Sequence, residues 1–233
     1  LLLREFRLRP IDCYRVEGPV NMMRMSQVVD LVDRPDLKFP RFEASRPAAL
    51  RGSDVFSLVR SHDVLLHHPY ESFQPVVDFL RSAATDPTVV AIKQTIYRTG
   101  ADSVLMEGLV AAARAGKEVT VVVELMARFD EEANINWAER LEEVGAHVVY
   151  GVVGFKTHAK MAMIVRREKG RLQRYVHLGT GNYNAATARL YEDFGLLTAD
   201  RALCNDVDEV FRRLTGLGKA GRLERAWQSP FSL

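Results

Sequence analysis

The sequence predicts an α/β fold: a mixed β-sheet flanked by helices on both faces and preceded by an irregular N-terminal arm. Three observations predict it. Apolar runs rich in valine and isoleucine recur at 88–96, 118–124 and 146–152, as buried strands do. Segments of helical period at 103–115 and 131–144 separate them, each closed by a glycine, Gly116 or Gly145. Beyond Gly154 the rhythm becomes strand, turn, strand, which adds further members to a β-α-β-α-β core.

Taken in order, residues 1–45 carry Pro10, Gly18, Pro19, Pro35 and Pro40 around one short helical stretch at 20–32. They read as the tail of a preceding domain. A second domain is expected over 46–233, led by a connector at 46–60. A short strand at 63–67 precedes an amphipathic helix at 70–84, in which Phe73, Val76, Val77 and Leu80 share a face and Asp86-Pro87 is the stop. Strands at 158–166 and 173–178 flank the turn Arg167-Glu-Lys-Gly170. A short helix at 185–191, a strand at 194–198 and a closing helix at 205–215 complete the pattern. The tail 216–233 is weakly patterned, and no internal repeat is present.

Composition narrows the function classes. A chain of 233 residues can bury a substantial core. Its net charge is only +2, so any site for a polyanion must be a local cluster of cations. Two cysteines, Cys13 and Cys204, cannot form a disulfide framework and fit a reducing, cytoplasmic setting. No apolar run approaches the ~20 residues that span a bilayer; a cytoplasmic chain, with peripheral membrane association allowed, is expected. The chain opens without an initiator Met and in mid-pattern, and reads as a fragment. There is no G-x-x-x-x-G-K-[ST] loop, no Cys/His set with zinc spacing and no basic helix interleaved with aromatics, so nucleic acid is not an expected partner.

The chemistry concentrates at Lys156-Thr-His158-Ala-Lys160, followed one strand later by Gly179-Thr180-Gly181-Asn182. On an extended segment His158 and Lys160 share a face. They offer one imidazole and one fixed cation to the same anion, as phosphoryl transfer requires. Alone, the pair is as readily a histidine satisfied at a strand end beside an outward lysine. The adjacent glycines, which let backbone N–H groups approach an anion, shift the balance. Arg98 and Arg128 follow two buried strands at their carboxyl ends, where open α/β sheets place ligands. Either could instead pair with a nearby acid, Asp102 or Asp130. His177, between Val176 and Leu178, suits a structural hydrogen bond better than catalysis. Tyr191-Glu192-Asp193 offers an aromatic platform and a carboxylate.

The H-x-K and G-[ST]-x-N pattern resembles one half of the phospholipase D superfamily, through His158, Lys160, Gly179, Thr180 and Asn182. That superfamily's acid is missing, because Val165 stands in its place. A closer resemblance is to the type-1 polyphosphate kinase family, a branch of the same fold. It is carried in order by Asp63-Val-Leu-Leu-His-His-Pro-Tyr70, Ala91-Ile-Lys-Gln-Thr-Ile-Tyr-Arg98, the segment 121–134, Lys156–Lys160, His177-Leu-Gly-Thr-Gly-Asn182 and Thr187-Ala-Arg-Leu-Tyr-Glu-Asp193. The resemblance implies a phospholipase D-like sheet. It also implies reversible transfer of the ATP terminal phosphate to inorganic polyphosphate through a phosphohistidine at His158. Lys160, Arg98, Arg128, His177 and Asn182 would bind phosphate, Tyr191 and Asp193 the nucleotide. Mg²⁺ is implied at Arg98 and Arg128, through backbone or shared phosphate oxygens because a guanidinium has no lone pair to give. The chain then corresponds to the end of a head domain and the first C-terminal domain. A second C-terminal domain would complete the site, and the full-length protein is expected to be a homo-oligomer. Two other readings stay open: a phosphodiesterase half-site working as a homodimer, and a non-catalytic polyanion-binding module.

Overall fold

The computed structural model describes residues 2–40, 42–52, 54–100, 103–127, 130–152, 154–216 and 221–231. They fall into two units, Leu1–Phe42 and Glu43–Leu233. The first holds helix α1 (Leu2–Glu5), single 3₁₀ turns and helix α2 (Ser26–Leu31). The helix expected over 20–32 is a 3₁₀ turn, Met22–Met25, running into α2. None of the described side chains in this arm is buried.

The second unit is built on one sheet of seven strands among the described residues: β1 (Val64–His68), β2 (Val89–Ile96), β3 (Glu118–Val123), β4 (His147–Tyr150), β5 (Lys160–Glu168), β6 (Arg171–Gly179) and β7 (Asp193–Thr198). Their order is β1-β7-β6-β5-β2-β3-β4. The βαβ units make β2, β3 and β4 parallel, and the hairpin segments pair antiparallel. The sheet is therefore mixed. One face packs on α3 (Val55–Ser61), α4 (Gln74–Thr85), α5 (Val104–Arg114) and α6 (Glu131–Glu143); the other packs on α7 (Arg201–Leu214). Alternation divides β5 between them: Ala162 and Ile164 enter the first core, while Met161, Met163 and Val165 enter the second beside Phe211.

Several boundaries differ from expectation, each for a local reason. The connector 46–60 contains α3, whose Asp54 caps it by accepting from Ser57 N–H at 2.9 Å while Val55, Phe56 and Val59 are buried. Helix α4 starts at Gln74 rather than Tyr70, because the backbone of 70–72 pairs instead with Ser45. The expected helix at 185–191 is one 3₁₀ turn, Thr187–Arg189, with Asn184 Oδ1 accepting from the N–H groups of Ala186 and Thr187. Helix α7 begins at Arg201, not 205, on an Asp200 cap that accepts from Leu203 N–H at 2.8 Å. Strands β5 and β6 run further toward each other than expected. Lys169 (φ 47°) and Gly170 (φ 77°) alone make the turn, the two-residue geometry that fits strand twist.

No helix among the described residues is long and apolar enough to cross a membrane.

Candidate active site

Strand direction gathers the candidate residues at one edge of the sheet. The parallel strands β2, β3 and β4 end there, just ahead of Tyr97, Glu124 and Gly151. Antiparallel β5 begins there, β6 ends there, β7 begins there and β1 ends there. Register fixes the neighbours: Lys160 lies opposite Gly179, Gly179 opposite Gly195, and His68 opposite Asp193.

At the centre of that edge stands Tyr97, 9% exposed, with cations around its ring. Lys160 Nζ is 5.0 Å, Lys156 Nζ 5.3 Å and the Arg98 guanidinium 5.4 Å from its centroid. The His158 imidazole meets the same ring edge-on, with centroids 4.9 Å apart. Lys160 Nζ lies 3.0 and 3.1 Å from the two ring nitrogens of His158 and donates to its carbonyl oxygen at 2.8 Å. The imidazole is exposed while Lys160 is buried. Arg98 is half-buried, its Nε has no hydrogen-bond partner, and neither it nor Lys156 has a carboxylate partner among the described residues.

Electrostatics follow from that crowding. Partial burial first, then the charges of Lys160, Lys156 and Arg98, push His158 below the ordinary histidine range. Its imidazole is therefore neutral, and nucleophilic, near pH 7. Burial pulls the Lys160 ammonium down to about 8, against the opposing pull of Asp193.

Buried hydrogen bonds hold the His158 segment. The Glu124 carboxylate, 5% exposed, accepts from Thr157 N–H at 2.7 Å and from Met126 N–H at 2.9 Å. Thr95 Oγ1 donates to the Ala159 carbonyl at 2.7 Å and accepts from Met161 N–H at 3.1 Å. Asn134 donates to the carbonyls of Tyr97 and Glu124. The backbone at 157, 159 and 161 is thus pinned inward, which leaves the side chain of His158 free to face out. Tyr97, Glu124, Thr95 and Asn134 were not singled out from the sequence. The available signal was polar residues closing or interrupting otherwise apolar strand runs.

The remaining candidates occupy distinct places. His177 is fully buried beneath the glycine loop, its Nδ1 2.8 Å from the Tyr183 hydroxyl, and burial with the nearby His68 pulls it down to about 3. Asp193 accepts from Thr180 Oγ1 at 2.8 Å and so turns under the glycine loop rather than outward. At Gly181 a side chain would collide with that carboxylate. Asn182 is half-buried in the same loop, and Tyr191 is exposed before β7. Arg128 lies outside the described residues, as does Asp102, the acid considered as a partner for Arg98. Val165, where the phospholipase D pattern has its acid, packs beside α7.

A groove of about 1020 Å³ opens beside Arg98 and Lys156 and runs past Glu131, Tyr150 and Phe155. The described residues offer no side-chain cage for Mg²⁺, and Arg128 lies outside them. No group of three or more metal-ligating side chains is present among them, and Glu124 and Asp193 already accept hydrogen bonds from the protein.

A family model described as polyphosphate kinase C-terminal domain 1 matches residues 54–220. The whole chain aligns at 64% identity with a polyphosphate kinase of Burkholderia cenocepacia and at 59% with one of Neisseria meningitidis, covering 34% of each. The chain thus spans about a third of the length of these curated relatives. The crystal structure of polyphosphate kinase from Porphyromonas gingivalis superposes with a TM-score of 0.75 at 36% identity, over 91% of this chain and 36% of that one. Nuc of Salmonella typhimurium, a phospholipase D family member, matches 69% of this chain and 97% of its own with a TM-score of 0.51 at 18% identity, a likeness of fold. A family match over residues 54–220, on a sheet that superposes on that of a solved polyphosphate kinase, identifies the chain as a member of the polyphosphate kinase family.

Proposed function

We propose that this chain is the histidine-bearing catalytic portion of an ATP:polyphosphate phosphotransferase. One observation carries the reading: an exposed, neutral imidazole at which Lys160, Lys156 and Arg98 converge. In the forward direction a His158 ring nitrogen attacks the ATP γ-phosphorus. The N–P bond forms as the bond to the bridging oxygen breaks, and ADP leaves with that electron pair. A terminal oxygen of polyphosphate then attacks the phosphohistidine, lengthening the chain by one unit and restoring the neutral ring. The cations offset charge on the transferred group throughout. Each step reverses without a change in the protein's roles.

Within this reading Arg128 joins Arg98 on the phosphates, Asn182 adds an amide donor, and exposed Tyr191 offers its ring to the base. Asp193 acts through the glycine loop and Lys160. His177, being buried, supports the loop from behind instead of touching phosphate. Mg²⁺ travels on the substrate's phosphate oxygens and is not caged by this chain. The greater length of the relatives supports placing further site residues in a second C-terminal domain. The working form in this reading is a cytoplasmic homo-oligomer. A phosphodiesterase is disfavoured by Val165.

The test is His158→Ala in the full-length protein. Phosphate transfer between ATP and polyphosphate should fall at least ~10³-fold in both directions, because no other group replaces a covalent nucleophile. Polyphosphate affinity should stay within about threefold, since three cations remain. Retained turnover would defeat the reading, and hydrolysis of a chromogenic phosphodiester would favour the phosphodiesterase.

A further inference from the structure

Behind the glycine loop lies a cavity of about 10 Å³ bounded by His68, His177, Asn182, Asp193, Gly181 and Gly195. Three buried polar atoms of these residues have no hydrogen-bond partner among the described residues: His68 Nε2, His177 Nε2 and Asn182 Oδ1. Leaving such an atom unpaired is costly, and His68 and His177 are only 3% and 2% exposed. The two imidazoles converge on Gly195, where an added Cβ would sit 2.9 Å from His177 Nε2 and 3.4 Å from His68 Nε2.

The protons on both rings can be assigned from their other nitrogens. His68 Nδ1 is 2.8 Å from the Glu71 carbonyl oxygen. A carbonyl only accepts, so Nδ1 carries a proton, and in the neutral tautomer Nε2 is a bare acceptor. His177 Nδ1 is 2.8 Å from the Tyr183 hydroxyl, a phenol buried with that one partner among the described residues. Its O–H is used only by donating to Nδ1, which puts the His177 proton on Nε2. The three unpaired atoms, one donor and two acceptors, therefore bound a space the size of a single water, which needs ~10–15 Å³.

We propose that one ordered water binds in this cavity, accepting from His177 Nε2–H and donating to His68 Nε2 and to Asn182 Oδ1. The water joins the end of β1 to the glycine loop through two histidines, which act as positioning residues. By holding Asn182 through its oxygen, it leaves the amide N–H groups for an anion above the loop. This last consequence rests on the phosphotransfer reading; the water site does not.

Long-range ¹⁵N–¹H NMR of histidine-labelled full-length protein reads both tautomers without any substitution. Nδ1–H on His68 and Nε2–H on His177 are expected. Water magnetic relaxation dispersion should then show one long-lived internal water lost in Gly195→Ala, whose methyl fills the cavity. Should that variant fail to fold, the same loss is sought in His68→Phe, which removes one acceptor and fills the space. The proton on Nδ1 of His177, or an internal-water count unchanged in a folded variant, overturns the proposal. Neither readout involves turnover, so a failure of phosphotransfer leaves it standing, and its own failure leaves phosphotransfer untouched.

Discussion

At the scale of single residues, the site works by setting protonation states through burial and charge. Lys160 is pulled down to about 8, so its cation is lost as pH rises through that value. Polyphosphate affinity of the full-length protein should weaken above pH ~8. In Lys160→Arg, whose guanidinium stays charged, it should hold to pH ~10. Equal pH profiles by binding titration would contradict the assignment. His177 tests the buried side of the loop. Its native value of about 3 lies below the ordinary 6.5, so between these the unfolded chain takes up a proton that the native ring refuses. Stability therefore falls as pH falls through that window, by roughly 1.5 kcal/mol between pH 6.5 and 5 from this group. Urea unfolding should show that loss in the wild type and its near absence in His177→Gln. His158, Lys160 and Arg98 were legible in the sequence because strand period and strand ends announce them. Tyr97 was not, since an aromatic ending a β-strand looks like any core residue until three cations surround it. The burial of His177 was hinted at by Val176 and Leu178, but the turn of Asp193 under Gly181 depends on strand pairing, which no local pattern encodes.

At the scale of elements, what matters is how a short segment ahead of β5 is held so that its histidine faces out. Glu124 supplies two acceptors to that region, for Thr157 N–H and Met126 N–H. Glu124→Gln keeps the shape but replaces one accepting oxygen with an NH₂, leaving a buried donor unpaired. A loss of about 1–3 kcal/mol is expected, together with lower turnover at unchanged polyphosphate affinity. Unchanged stability by denaturant titration would show that the pin is not needed. The βαβ stretch was the most legible part of the fold, because valine runs and glycine-closed helices alternate there without interruption. Legibility failed where side-chain caps override periodicity. Asp54 and Asp200 start helices ahead of their apolar pattern, and Asn184 holds a single turn where a longer helix was expected. Strand β4 stops at Tyr150 because Gly151 takes φ 58°, with the Glu124 carboxylate close by.

At the scale of the whole molecule, an ordinary net charge of +2 conceals a strongly cationic point. The sheet order brings the ends of β1, β2, β3 and β6 and the starts of β5 and β7 to one edge, so residues far apart in sequence meet there. Carboxylates elsewhere balance the total, as in the pairs Lys93–Asp208 and Arg166–Asp86. The site's cations are left without such partners among the described residues, and that surplus is what a phosphate would neutralise. The most direct measurement is to treat the full-length protein with ATP labelled at the γ-phosphate, quench at alkaline pH and map the labelled peptide. Acid-labile, alkali-stable phosphate is expected on the peptide containing His158, and none after His158→Ala. Label that survives the substitution, or that maps to His177, would contradict it.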